Sequence, residues 1–239
     1  MSTTARKRAR KTPAKPARYH HGDLRRALVE ETVRLIEEQD VGAVSLREVA
    51  RRIGVTRAAP YHHFPDKAEL LAAVAEDGFR ALHAAVQESL SHVAGQSPAE
   101  WIAAAARAYI AFATTHAAHY RAMFLPEFRE RERFPSLHVA GGEALEALVA
   151  LVSAARPGEP VAASRALAVA CWSSWHGYAM LANNGVLSSH PDLRDTDVLS
   201  TLLGLLDQAV RTPPAPHPSP APAAREERRP KQPKNRGRA

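Results

Sequence analysis

The stretch SLREVARRIGVTRAAPYHHFPDK, residues 45–67, constrains the fold more than any other part of the chain. Ser45 with Glu48 three residues later is the signature of a capped helix start. Leu46, Val49, Ala50 and Ile53 then recur at helical spacing and make one apolar face. Gly54 stands where the chain must turn with positive φ, a conformation that costs glycine little. Thr56 is placed to cap a second helix that opens at Arg57 and ends near His63, closed by Phe64-Pro65. Asp66 then caps a long helix from Lys67. Two short helices across a glycine turn, the second with a basic and aromatic outer face, form a helix-turn-helix pattern.

The remaining segments extend this into an all-α chain. Residues 22–38 read as a helix with Leu24, Leu28, Thr32 and Leu35 on one face, terminated by Gly42. The helix from 67 runs to about 93 with a stripe of Leu71, Val74, Gly78, Leu82, Ala85, Ser89 and Val93, long enough to leave the small unit and join the next one. Ser97 with Pro98 at the first helical position starts a helix to about 118, and a short segment follows over 119–124. PEFRERERFPS reads as an exposed connection; helices are predicted over 136–155, 161–183 and 196–211. The last presents Val198, Leu202, Leu205 and Ala209 beside Leu199, Leu203, Leu206 and Val210, an apolar stripe wide enough for burial on two sides. No convincing period-2 run occurs, and alanine supplies much of the apolar content, which favours helix. Four segments follow: a disordered basic tail over 1–18, a helix-turn-helix unit over 19–66, a larger helical domain over 67–211, and a disordered Pro/Arg/Lys-rich tail over 212–239.

The net charge of +7 hides an uneven distribution. Residues 1–20 carry +7 and residues 212–239 carry +5, which leaves the body, 21–211, at −5. Positive potential near a polyanion must therefore come from the tails and a few residues of the helix-turn-helix unit. One cysteine, Cys171, cannot form an internal disulfide, and no signal peptide is apparent, so a cytoplasmic home is expected. Residues 166–191 lack Asp, Glu, Lys and Arg, but Ser173, Ser174, His176, Asn183, Asn184 and two glycines interrupt them; a buried helix is expected there, not a membrane span.

HGDLRRALVEETVRLIEEQDVGAVSLREVARRIGVTRAAPYHHFPDKAELLAAVAEDGF resembles the N-terminal domain of the tetracycline-repressor (TetR) family in the order of its capped S-L-R-E-V-A helix, G-V-T turn, Y-H-H-F-x-D-K and long helix. WSSWHGYAMLANNG is similar to the Trp-His-Gly signature of one TetR-type regulatory domain, here Trp175, His176 and Gly177. The resemblance implies an all-helical homodimer that binds a palindromic operator in double-stranded DNA and is released by a small molecule in its C-terminal domain. Pro60 departs from the family pattern. It lacks the N–H of an early-turn helix bond and puts the geometry of the reading helix, and so the base contacts, in question.

A helix N-terminus in the major groove brings its first turns to base edges. Arg57 can pair with guanine O6 and N7 or with a phosphate, and Ala58 can touch a thymine methyl. The resemblance implies a phosphate contact for Tyr61; His62 fits either job. Lys67 at the head of the long helix, Arg47 and Thr56 are phosphate candidates, and one of Arg51 and Arg52 can also reach DNA. Two such units about 34–36 Å apart read a two-fold site, which is the physical reason for dimerisation. Trp101, Tyr109, Phe112, His116, Tyr120, Met123, Phe124, Trp172, Trp175, His176 and Met180 are the large side chains able to line a ligand site, or simply to fill a core. The uncharged stretch points to a neutral, hydrophobic effector. Adjacent histidines such as His62-His63 diverge by about 100° on a helix, so no metal or cofactor is implied. Cys171 and His176 do not meet within one helix, and no phosphate loop or paired-carboxylate motif occurs, so no enzyme is expected. The rival is an architectural protein that binds DNA without sequence preference through its tails.

Overall fold

The structure is a computed structural model that describes residues 21–190, 192 and 195–212. Apart from Thr212, the two tails lie outside the described residues. Among those residues there are eight α-helices, three short 3-10 turns and no strand.

Helix α1 (His21–Gln39) buries Leu28, Val29, Leu35 and Ile36 together with Thr32, whose hydroxyl donates to the Leu28 carbonyl at 2.7 Å. It ends before Gly42. The reversal falls on Asp40, which takes φ +85° although it carries a side chain. Its carboxylate accepts from the Val41 N–H at 2.7 Å and so helps to hold a backbone that side chains disfavour. A 3-10 turn, Val41–Ala43, leads to α2 (Leu46–Arg52). Ser45 caps α2 through Glu48 N at 3.2 Å. The reciprocal half of the expected capping box is absent, because the Glu48 carboxylate turns to Arg51 and Arg52 instead.

Gly54 closes α2 at φ +75°. Its N–H reaches Arg51 O at 3.3 Å and the next N–H, of Val55, reaches Ala50 O at 3.0 Å, the paired bonds of a Schellman motif. Nothing lies within 4 Å of a Cβ built on Gly54, so space is not its constraint; the dihedral is. Gly54→Ala is therefore expected to lower unfolding free energy by about 1–2 kcal/mol, the cost of a left-handed alanine, measured by urea denaturation. An unchanged midpoint would mean that the turn relaxes to negative φ.

The second element of the motif departs from the sequence expectation. No α-helix spans 57–63. Ala59 N bonds to Thr56 O at 3.0 Å, and a 3-10 turn then runs over Ala59–His62. Pro60 explains the change. In an α-helix begun at Arg57 its ring would press on the Thr56 carbonyl and its missing N–H would break the first bond. Near the start of a 3-10 turn the missing N–H costs nothing, and the Pro60 carbonyl accepts from His63 N and Phe64 N, both at 2.9 Å. Pro60 is buried, and Thr56 makes no side-chain cap.

Helix α3 (Lys67–Ser91), capped by Asp66 through Glu69 N at 3.1 Å, is shared by both parts of the molecule. The Ser97–Glu100 pair opens α4 (Pro98–Thr115): Glu100 accepts from Ser97 N at 2.9 Å and from its hydroxyl at 2.8 Å. The helix expected to reach 118 breaks at His116, and α5 (Ala117–Met123) starts afresh. After a 3-10 turn at Pro126–Arg129 come α6 (Pro135–Ala155), α7 (Val161–Asn183) and α8 (Asp195–Arg211). Helix α3 packs on α4, α5 and α6; α7 packs on α4 and α6; α8 lies against α4 and α7. Gly78 permits the close approach of α3 to α5, since a Cβ there would stand 3.1 Å from His119 Cβ and 2.9 Å from Met123 Sδ. By length and composition α6 could cross a membrane. It is instead built into the bundle, and its Glu146 takes a two-pronged bond from Arg165 of α7 at 2.7 and 2.8 Å.

Candidate nucleic-acid interface and ligand cavity

The turn between α2 and α3 presents Thr56, Arg57, Ala58, Tyr61 and His62 to solvent. Tyr61 is 48% exposed, large for an aromatic with nothing to cover it. Beneath them Pro60 and Phe64 are buried and anchor the turn, with the Arg25 guanidinium 5.2 Å from the Phe64 ring centre. His63 is half-buried beside Phe64, on the inner side. Arg47 and Arg57 are exposed and make no ion pair among the described residues. They are thus uncommitted donors on a body of net negative charge.

Arg52, Arg51 and Lys67 have other duties. Arg52 is the hub of a carboxylate cluster: it bonds Glu38 at 2.7 Å, Glu48 at 3.1 Å and Glu31 at 3.5 Å, and ties α2 to α1. Arg51 lies on Glu48. Hydrogen bonds from Arg51 and Arg52 hold the Glu48 carboxyl down to about 2. The Lys67 ammonium donates to the carbonyls of Val41 at 3.0 Å and Gly42 at 3.4 Å. It therefore locks the start of α3 to the turn after α1, where the sequence placed it on a phosphate. Glu48 lies within one helical turn of Arg51 and Arg52, but the Glu31 and Glu38 partners of Arg52 and the Val41 and Gly42 partners of Lys67 lie 14 to 26 residues away, out of reach of local sequence pattern.

Two further arginines tie the helix-turn-helix unit to the bundle. Arg121 of α5 donates to Ile36 O at 3.2 Å and lies 3.6 Å from the Asp40 carboxylate. Arg133, in the connection before α6, bonds Asp66 at 2.5 Å and lies 3.8 Å from Glu69. Asp66 is also the cap of α3, so this tie grips the point where the helix enters the reading unit.

Between α3, α4, α6 and α7 lies a cavity of about 330 Å³, within the range of small-molecule sites. Helix α3 contributes Phe79, Leu82, Val86 and Leu90, and α6 contributes Leu137, Gly142, Leu145, Leu148 and Leu151. Of the eleven side chains that the sequence singled out, Tyr109, Met123, Phe124, Trp172 and Trp175 line it. The other six stand off its wall. Trp101 donates its indole N–H to Val93 O at 3.0 Å, at the corner between α3 and α4. Phe112 is buried against His116, with ring centres 4.8 Å apart, and His116 Nδ1 meets the Thr115 hydroxyl at 2.9 Å. Met180 points out of the bundle, 44% exposed.

Tyr120 and His176 belong to a hydrogen-bonded cluster behind the wall. Trp172 Nε1 donates to the Tyr109 hydroxyl at 3.1 Å, and the hydroxyls of Tyr109 and Tyr120 converge on His176 Nδ1 at 3.1 and 2.8 Å. Burial pushes both phenols up and His176 down, so the phenols and the imidazole of this cluster are all neutral. Cys171 is fully buried nearby in the core, and burial pushes its thiol up to about 11. Of the α3 stripe read from the sequence only Leu82 lines the cavity, and no face of α6 was singled out, because a stripe facing a cavity looks the same as one facing a packed core.

Comparison with known proteins places this arrangement. A model of bacterial regulatory proteins of the tetR family matches residues 28–74, and a tetracyclin repressor-like C-terminal domain matches residues 102–206. The chain belongs to the TetR family. The matching C-terminal model does not specify the Trp-His-Gly subtype. The HTH-type transcriptional regulator AcrR of Shigella flexneri is 35% identical over 63 residues, which is 26% of this chain and 29% of that protein. A solved protein of unknown function from Rhodococcus sp. RHA1 is 30% identical with a TM-score of 0.66, over 80% of this chain and 97% of that one. A tetR-family regulatory protein from Rhodococcus RHA1 shares the fold at 16% identity and a TM-score of 0.59, over 78% of this chain and 96% of that one. TetR-family proteins are DNA-binding transcriptional regulators.

Proposed function

We propose that this TetR-family chain is a repressor that binds a palindromic operator as a homodimer in the cytoplasm and is released when a small, largely apolar molecule enters the 330 Å³ cavity. The observation that carries this is the double use of α3: its first residue is locked to the reading unit, and its middle forms a wall of the cavity. A molecule that spreads α3 from α6 moves the reading unit with it. The ties from Arg121 and Arg133 support the same coupling. Arg121 lies on the helix that brings Met123 to the cavity, and Arg133 lies five residues after Phe128, another lining residue. Its activity is binding, not catalysis, in keeping with a buried, protonated Cys171.

On the DNA side, Arg57 and Ala58 face base edges, Tyr61, Arg47 and Thr56 take phosphates, and His62 serves either. Lys67 stays in its internal bonds and is not assigned to phosphate. The dimer forms through α7 and α8. Among the described residues, six of the eight large exposed apolar side chains lie on or just after these helices: Val161, Val169, Met180, Leu181, Val186 and Leu205. Ala162, Ala166, Ala170, Ser173 and Gly177 are exposed on α7 at spacings of three and four, a small-residue face that admits another helix closely.

Arg57→Ala tests the reading role. Operator affinity is expected to fall by about 1–3 kcal/mol with relaxed preference at one base position per half-site, measured by fluorescence anisotropy on operator and single-base variants. An equal loss on operator and random DNA would move Arg57 to the phosphates. Protection of no defined window in footprinting would favour the non-specific architectural role instead.

A further inference from the structure

We propose that the cavity takes an amphipathic anion, an apolar tail with one carboxylate or phosphate head held by Arg131 at the rim; this rests on the cavity being the effector site. Among the described residues Arg131 is the one charged side chain, histidines aside, on a wall otherwise made almost wholly of apolar groups, and no acidic residue lines it. Arg131 is exposed and makes no hydrogen bond or ion pair among the described residues. Its neighbours in sequence, Glu130 and Glu132, neither pair with it nor reach the cavity. The alternating segment thus divides its arginines: Arg133 is spent on Asp66 and Glu69, while Arg131 is left free beside an apolar cavity.

Of the other polar side chains on the wall, His83 and Gln87 lie along α3 and lack the permanent positive charge of a guanidinium, and Tyr109, Trp172 and His138 are already engaged. The Tyr109 hydroxyl is already engaged by Trp172 and His176, and His138 Nε2 is taken by the Phe128 carbonyl at 2.8 Å. A charged head inside would be stripped of water with no permanent cation to pair it, at a cost that exceeds any gain from tail burial. A head at the rim stays partly hydrated, while its tail is buried between α3 and α6. A guanidinium fork matches the planar geometry of a carboxylate and of two phosphate oxygens alike. The expectation of a neutral effector, drawn from the uncharged stretch of α7, is thereby revised: α7 supplies tail contacts only, through Trp172 and Trp175.

Those two tryptophans also report on occupancy. The full chain is titrated with four molecules sharing a ten-carbon tail, below micelle formation: decanoate, decyl phosphate, decanol and decylamine. The anions are expected to bind about tenfold tighter than decanol, the value of a charge-assisted hydrogen bond, with decylamine weakest. Arg131→Gln is expected to remove that advantage and leave decanol affinity unchanged. Decanoate and decyl phosphate distinguish a carboxylate from a phosphate preference. If decanol matches the anions, or Arg131→Gln weakens all four alike, the anionic-head assignment falls while the cavity remains the effector site. If none of the four binds, the assignment falls with it; if they bind but operator release does not follow, the effector reading fails and the head assignment is judged on affinity alone.

Discussion

Gly177→Glu combined with Leu205→Glu is expected to leave the fold intact, turn the dimer into monomers, and lower operator affinity by about three orders of magnitude. The fold tolerates both changes because neither site is buried in the chain. Gly177 is exposed, and nothing lies within 4 Å of a Cβ added there. Leu205 is 61% exposed. In a two-fold interface each substitution appears twice, so four carboxylates would meet across a surface that has no arginine or lysine from Ala166 to Pro191 to answer them. The loss on DNA is large because a monomer reads one half-site. It forfeits the linkage of two reading units and falls to the affinity set by phosphate contacts alone. Light scattering gives the mass, and anisotropy on operator against random DNA gives the affinity. A protein that stays dimeric would place the interface elsewhere, on α6 for instance, where Val139 is 58% exposed.

The parts of the molecule legible in the sequence are those fixed by neighbours a few residues apart. Ser45, Gly54, Asp66 and Ser97 with Pro98 act within one helical turn, and each sits where its pattern placed it. Pro60 was legible as a difficulty, but not as the cause of a 3-10 turn. That outcome depends on a buried seat for its ring, which only tertiary packing supplies. Lys67 and Arg52 could not be placed at all from sequence. The Val41 and Gly42 carbonyls and the Glu38 and Glu31 carboxylates lie on other elements, and a charge beside a helix start looks the same whether it faces a phosphate or a turn. Ranking ligand residues by aromatic size favoured Trp101, Phe112 and Tyr120, which fill corners and a polar cluster. It missed Leu82, Leu145 and Leu148, because a cavity is a property of the spacing between helices and no single helix records it.

That spacing is what Gly142→Phe is expected to abolish, and its effects on stability and on response should have opposite signs. Gly142 lies inside α6 on the cavity wall, and nothing stands within 4 Å of a Cβ built on it. Glycine inside a helix costs about 0.5–1 kcal/mol relative to alanine through backbone entropy. Gly142→Ala should recover most of that, raise the melting temperature by a few degrees, and leave the ligand response in place. Phenylalanine also restricts the backbone, but its ring enters the 330 Å³ that the effector would occupy. The apolar walls of α3 and α6 then bury the ring instead of a ligand, with about 1.5–3 kcal/mol of added stability from its burial. The Gly142→Phe variant should therefore bind operator as tightly as the parent, melt at a higher temperature, and no longer release DNA at any effector concentration that releases the alanine variant. Comparing the two substitutions separates helix propensity, which both supply, from occupied volume, which only the ring supplies. Normal release by the phenylalanine variant would mean that the effector acts outside the space between α3 and α6. Loss of operator binding would mean instead that a filled cavity holds α3 in the released position, and that the ring itself mimics the effector.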